Sequence, residues 1–139
     1  MQRATGYRAL KVWQRAMELT VASYDVVARL PKLERYDLGS QIRRCAVSVP
    51  ANIAEGHARD HLGDYLQHLA VAGGSLAELQ TLLLISEQLG YSTVEQLTYP
   101  LSLAEETERM LCGLRRVIRA RRNQQATMHT SRPRRGRTA

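Results

Sequence analysis

Apolar residues recur every three or four positions through most of the chain, the spacing that lines one face of an α-helix. Four segments carry it. The first runs from Tyr7 to Leu30, with Leu10, Trp13, Met17, Val21, Tyr24 and Val27 as its stripe and Lys11, Arg15, Glu18, Asp25 and Arg29 outside it. Pro31 ends it, because proline lacks an amide donor and disfavours a helical residue before it. The second stripe is Leu38, Ile42, Cys45, Val49 and Ile53, and it keeps phase across Pro50. That register predicts one helix from Leu38 to Gly56, bent at the proline, whose missing N–H frees the carbonyl of Ala46. Two short helices split at Pro50 are the alternative. Gly56 is expected to cap the helix in the left-handed conformation.

The third segment runs from Leu62 to Gly90, with Leu62, Tyr65, Leu69, Leu76, Leu79, Leu83 and Ser86 facing inward. A patch of small residues at mid-length, Ala70, Ala72, Gly73, Gly74, Ser75 and Ala77, predicts close approach of a neighbouring helix backbone. The fourth opens at Tyr91-Ser92-Thr93, with Ser92 or Thr93 as N-cap and Glu95 in the first turn. It continues through Leu97, Leu101, Ala104, Leu111, Leu114 and Ile118 to Arg122, with Pro100 near its start. The periodicity then stops. The pattern predicts an all-α fold: an antiparallel up-and-down four-helix bundle with a proline-kinked second helix over residues 1–122. Residues 123–139 are expected to form a disordered arginine-rich C-terminal tail.

Composition agrees with packed helices. The 139 residues suffice for one domain with a real core, and with no Phe that core must be aliphatic. No apolar run approaches the roughly 20 residues that span a bilayer, and no secretory signal precedes the first segment, so a cytoplasmic protein without a membrane role is expected. Cys45 and Cys112 sit within apolar patterns without metal-type spacing and are expected to be buried thiols. The net charge of +7 is unevenly placed. Nine arginines and no acid follow Leu114, leaving eleven basic residues against thirteen acids before it.

Three stretches, LKVWQRAMELT (Leu10–Thr20), LGSQIRRCAVSVPANIAEGH (Leu38–His57) and GGSLAELQTLLLISEQLGY (Gly73–Tyr91), resemble the small four-helix-bundle proteins encoded within intervening sequences of bacterial 23S ribosomal RNA genes. The accessory protein of diversity-generating retroelements looks like a relative. The resemblance covers about residues 7–120 and its most specific part is Ser-x-Pro-x-Asn-Ile-Ala-Glu-Gly. It implies the bundle, a cytosolic location, assembly into a ring-shaped homopentamer, and nucleic-acid binding through basic surface. It implies no enzymatic activity and no cofactor.

Candidate chemistry is sparse. Glu55 is expected to pair with a cation such as Arg43 or Arg44, on a neighbouring turn or subunit, and Asn52 to hydrogen-bond backbone freed by the proline. His57, His61, Asp64 and His68 cluster in sequence at spacings that suit zinc or iron, but no Glu-x-x-His pair of a di-iron bundle accompanies them, and no metal is assigned. Glu55 and Glu78 have no partner nucleophile for acid–base work, the serines lack a GxSxG context, and Gly73-Gly74 is no phosphate loop. The basic residues form two groups, Arg43, Arg44 and Arg59 as a band, and Arg115, Arg116, Arg119, Arg121 and Arg122 leading into the tail. Arginines without interleaved aromatics suit phosphate contacts to RNA or DNA with little sequence choice. A solubilising tail is the alternative reading. Surplus apolar residues, Tyr24, Tyr65, Tyr91, Leu66, Leu82 and Leu89, suggest a partner surface, either another copy or a separate protein.

Overall fold

A computed structural model describes residues 5–131. Four helices occur in the expected order: α1 (Lys11–Ala28), α2 (Leu38–His57), α3 (Leu62–Gln88) and α4 (Val94–Thr130). Short 3-10 turns at Gly6–Ala9 and Lys32–Glu34 precede α1 and α2, and no strand occurs among the described residues. α1 and α3 each pack on both α2 and α4, without diagonal contact. Val27 meets Gly39 and Thr20 meets Ala46 across α1 and α2, while Gly56 meets Tyr65 and Ser48 meets Ser75 across α2 and α3. Residue numbers therefore fall along one helix as they rise along its neighbour. At one end of the bundle the Tyr91 hydroxyl donates to Glu34 Oε1 (3.2 Å), tying the link after α3 to the one after α1.

The interior is aliphatic. Leu19, Ile42, Val49, Ile53, Leu69, Leu79, Leu83 and Leu97 are fully buried. Three hydroxyls are buried with them, and each folds back on its own helix: Ser23 donates to Leu19 (2.8 Å), Thr107 to Leu103 (2.7 Å) and Ser86 to Leu83 (2.6 Å).

α2 runs unbroken through the buried Pro50, and all five residues of its expected stripe are buried. Thr20 Oγ1 of α1 stands 3.0 Å from the Ala46 carbonyl that the proline leaves without a helical donor. Asn52 does not serve that carbonyl; its amide donates to the Ser48 carbonyl (2.8 Å). Gly56 lies inside the helix, not at a left-handed cap, and Ala58 ends it. Glycine is required there by packing, since a Cβ would stand 2.7 Å from the His68 Cβ and 2.9 Å from the Tyr65 ring. The glycine stop after α3 does form, with Gly90 at φ 76°.

Other expectations change. α1 starts at Lys11, because Leu10 is extended (φ −73°, ψ 122°). Its buried face is Val12, Ala16, Leu19, Ala22, Ser23 and Val26, whereas Met17, Val21 and Tyr24 are exposed. Both stripes have helical spacing, and Leu10, Trp13 and Val27 of the expected one are half-buried against the core. The mid-α3 glycines are not matched to a close backbone: a Cβ at Gly73 would make ordinary contact at 3.7 Å with Arg115 and Leu111, and one at Gly74 would meet nothing within 4 Å. α3 is long and apolar enough to cross a membrane by length and composition, with mean hydropathy 1.5, contrary to the sequence expectation. Its leucines at 69, 76, 79 and 83 are nonetheless buried against the other helices. Of the surplus apolar residues, Tyr65, Leu66 and Leu82 are buried, Tyr91 is half-buried, and Tyr24 and Leu89 are exposed.

α4 opens with Thr93 as N-cap in a reciprocal capping box: Thr93 Oγ1 accepts from the Gln96 amide (3.1 Å) and Gln96 Oε1 from the Thr93 amide (3.0 Å). The helix continues past Arg122 to Thr130, so the expected boundary of the tail is too early. Gln124, Gln125, Ala126 and Met128 are good helix formers, and no Gly or Pro interrupts them. The remainder of the expected tail, residues 132–139, lies outside the described residues.

Candidate nucleic-acid interface

α4 sorts its charges along its length. Glu95, Glu105, Glu106 and Glu108 precede Arg109, and from there to Thr130 every charged side chain is an arginine. Arg115, Arg116 and Arg119, with the exposed Cys112, line one surface depression. Their offsets of three, four and seven from Cys112 put them on one helical face. Among the described residues, no carboxylate lies within 4.0 Å of Arg115, Arg116, Arg119, Arg121 or Arg122. Arg115 is the half-buried member, and its Nε is shielded from solvent with no hydrogen-bond partner. The groups open to an anion are the exposed Arg116 and Arg119, whose charge no carboxylate among the described residues neutralises.

The second basic group is dispersed. Arg43 and Arg44 lie in the first half of α2, and Arg59 follows its end, about 22 Å further along at 1.5 Å per residue. Arg43 Nη2 donates to the Arg35 carbonyl (2.9 Å), and Arg59 pairs with Glu55 (3.2 Å). Glu55 therefore pairs with a cation on a neighbouring turn, as expected, but the cation is Arg59 and not Arg43 or Arg44. The sequence offers both kinds of pairing, and the i, i+4 spacing on the last turn of α2 wins.

A polar seam joins α2 to α3 beside the signature motif. Ser48 Oγ and Ser75 Oγ are 2.7 Å apart, Asn52 Nδ2 donates to Ser48 Oγ (3.0 Å), and His68 Nδ1 lies 3.1 Å from Asn52 Oδ1. Since Oδ1 only accepts, His68 Nδ1 must carry a proton. His68 Nδ1 is also 3.9 Å from Glu55 Oε2. The seam is a chain of satisfied hydrogen bonds without an aligned nucleophile and base. His57 packs its ring perpendicular to that of Tyr65 with centroids 5.9 Å apart, and His61 is the residue before α3. Among the described residues no group of three His, Cys, Asp or Glu is placed to hold a metal ion.

Burial, and then the Glu78 carboxylate, push the Cys45 thiol up to about 12, which keeps it protonated and unreactive at neutral pH. Cys112 is exposed, contrary to expectation, because its side of α4 faces away from the core. Burial also raises Tyr65, against the opposing charge of Arg121, and its hydroxyl has no hydrogen-bond partner. An apolar surface depression between α1 and α4, lined by Met17, Val21 and Tyr99 with Glu18 and Asp25, is not among the expected sites, because the helical spacing of Met17 and Val21 reads as core.

No curated protein matches the sequence. A profile described as 23S rRNA-intervening sequence protein matches residues 8–113, a span that holds α1, α2, α3 and more than half of α4. It includes the Pro50 motif and the polar seam but ends before the arginine stripe. With most of the chain matched and four packed helices in the structure, the protein belongs to the 23S rRNA-intervening sequence protein family.

Proposed function

We propose that the protein is a non-enzymatic, self-associating cytoplasmic bundle that binds RNA or DNA through phosphate contacts from α4. The observation that carries this reading is the arginine stripe without a carboxylate within 4.0 Å among the described residues. Guanidinium groups held so on a rigid helix suit phosphate oxygens. Arg44, on α2, adds positive surface elsewhere on the body, and Arg43 and Arg59 contribute what their intramolecular partners leave. Light scattering of the purified protein with and without mixed RNA, at low and high salt, tests the reading. Nucleic-acid capture that weakens steeply with salt supports it. Absent or salt-insensitive capture refutes it.

Self-association is favoured by the exposed Met17, Val21 and Tyr24 on α1, of which Met17 and Val21 share a surface depression with Tyr99 of α4. The family resemblance implies a ring of five copies, and the same scattering measurement gives the subunit number. The second reading, a scaffold for a separately encoded protein without a nucleic-acid role, draws on this same apolar surface. A pull-down that recovers one stoichiometric partner and no nucleic acid would favour it.

A further inference from the structure

Ile118 is the last buried residue of α4, and every residue from Arg119 to Thr130 is exposed. These twelve residues make a rod about 18 Å long at 1.5 Å per residue. They lie beyond the span shared with the family profile. A helix this short is marginal alone, and Arg115 with Arg119 adds like-charge repulsion at i, i+4. A polyanion relieves the repulsion and stabilises the rod.

The residues of the rod discriminate among polyanions. Single strands are held by stacking on aromatic rings, and α4 has no Phe, Tyr or Trp after Tyr99. Duplex RNA hides its bases in a deep, narrow major groove that side chains cannot read. The major groove of B-form DNA is about 12 Å wide and admits a helix whose diameter with side chains is about 10–12 Å. At 3.6 residues per turn, Asn123 lies about 140° round the helix from Ile118, on the side turned away from the bundle. Arg116, Arg119, Ala120 and Thr127 share that side, and Arg115 and Arg122 both border it along one edge. Arginine pairs with guanine and asparagine with adenine at the groove edge, and small apolar groups meet the thymine methyl.

We propose that the exposed end of α4 lies in the major groove of duplex DNA, with Arg116, Arg119 and Asn123 toward the base edges and Arg115 and Arg122 on the phosphates along one edge of the groove. The proposal rests on the nucleic-acid reading above and adds to it the duplex, the groove and sequence preference.

The test uses the full chain in fluorescence-anisotropy titrations with duplex DNA, duplex RNA of the same sequence and single-stranded DNA, after selection of preferred duplexes from a random pool. A recovered consensus is expected, bound at least about tenfold more tightly than the matching RNA. Asn123→Ala removes no charge and touches no core residue; it is expected to weaken the selected site by about 5- to 150-fold and leave random duplex unaffected. Circular dichroism of the variant checks its helix. If RNA or single strands bind equally well, if no consensus emerges, or if Asn123→Ala changes nothing, the groove proposal is overturned while salt-sensitive phosphate binding stands. If the chain captures no nucleic acid at all, both readings fall.

Discussion

The hydroxyl of Thr20 stands 3.0 Å from the carbonyl of Ala46, so α1 supplies a donor to the acceptor that Pro50 strips from α2. The same hydroxyl is 2.8 Å from the Ala16 carbonyl of its own helix, and its single proton is shared between the two. An internal proline that breaks an isolated helix is accommodated here by a neighbouring helix. Thr20→Val is expected to cost about 1–3 kcal/mol, the range for leaving a buried acceptor unpaired. In a Pro50→Ala background the backbone amide returns, and the cost of Thr20→Val should shrink. Urea unfolding of the four proteins measures the coupling. Strictly additive losses would show that the contact contributes nothing.

Two glycines predict opposite signs. Gly56→Ala forces a methyl to 2.7 Å from the His68 Cβ, and overpacking of this kind costs about 1–3 kcal/mol. Gly74→Ala meets nothing within 4 Å in a helix interior and is expected to stabilise by up to about 1 kcal/mol. Thermal or urea unfolding reads both. A destabilised Gly74→Ala would mean that the glycine face of α3 is covered by another copy.

The two thiols should separate chemically. Cys112 reacts with a thiol reagent in the native protein, and Cys45 only after unfolding. Alkali has a definite sign. Between the ordinary thiol value of 9.0 and about 12, the unfolded chain releases a Cys45 proton that the folded chain retains. Stability therefore falls as pH rises through that window, and the raised Tyr65 hydroxyl acts in the same direction. Cys45→Ala should lose less stability on going from neutral pH into the window. An equal loss in variant and parent would remove Cys45 as a cause.

The exposed stripe of α1 gives a prediction about assembly. Val21 is 63 % exposed, so Val21→Glu spares the core while placing a carboxylate in the groove beside Tyr99. The scattering mass is expected to drop toward that of one chain with helicity unchanged. An unchanged mass would move the interface elsewhere, with the exposed Val71, Leu84 and Ile85 of α3 as the next surface to vary.

The α2 stripe was readable because Leu38, Ile42, Cys45, Val49 and Ile53 leave one register open, and that register crosses Pro50. α1 was half legible because two stripes share its spacing: Leu10, Trp13 and Val27 of the expected stripe pack against the core, whereas Met17, Val21 and Tyr24 are exposed and Val12, Ala16, Leu19, Ala22, Ser23 and Val26 are buried. The role of Gly56 needed the third dimension, since only the approach of His68 and Tyr65 distinguishes a packing glycine from a cap. The arginine run was plain in the sequence. Which arginines are already occupied was not, because the Glu55–Arg59 pair and the Arg35 carbonyl beside Arg43 depend on local side-chain geometry. The length of α4 was underestimated because the periodicity used to detect helices vanishes where a helix has no core to face.

The sorting of glutamates and arginines along α4 gives the molecule an electric moment. It opposes the dipole of the peptide groups, which amounts to about half a charge at each helix end, and the side chains outweigh it. Near a dense array of negative charge the rod turns arginine end foremost before contact. Encounter frequency, more than residence time, then carries the ionic-strength dependence, and the glutamate end is left pointing outward.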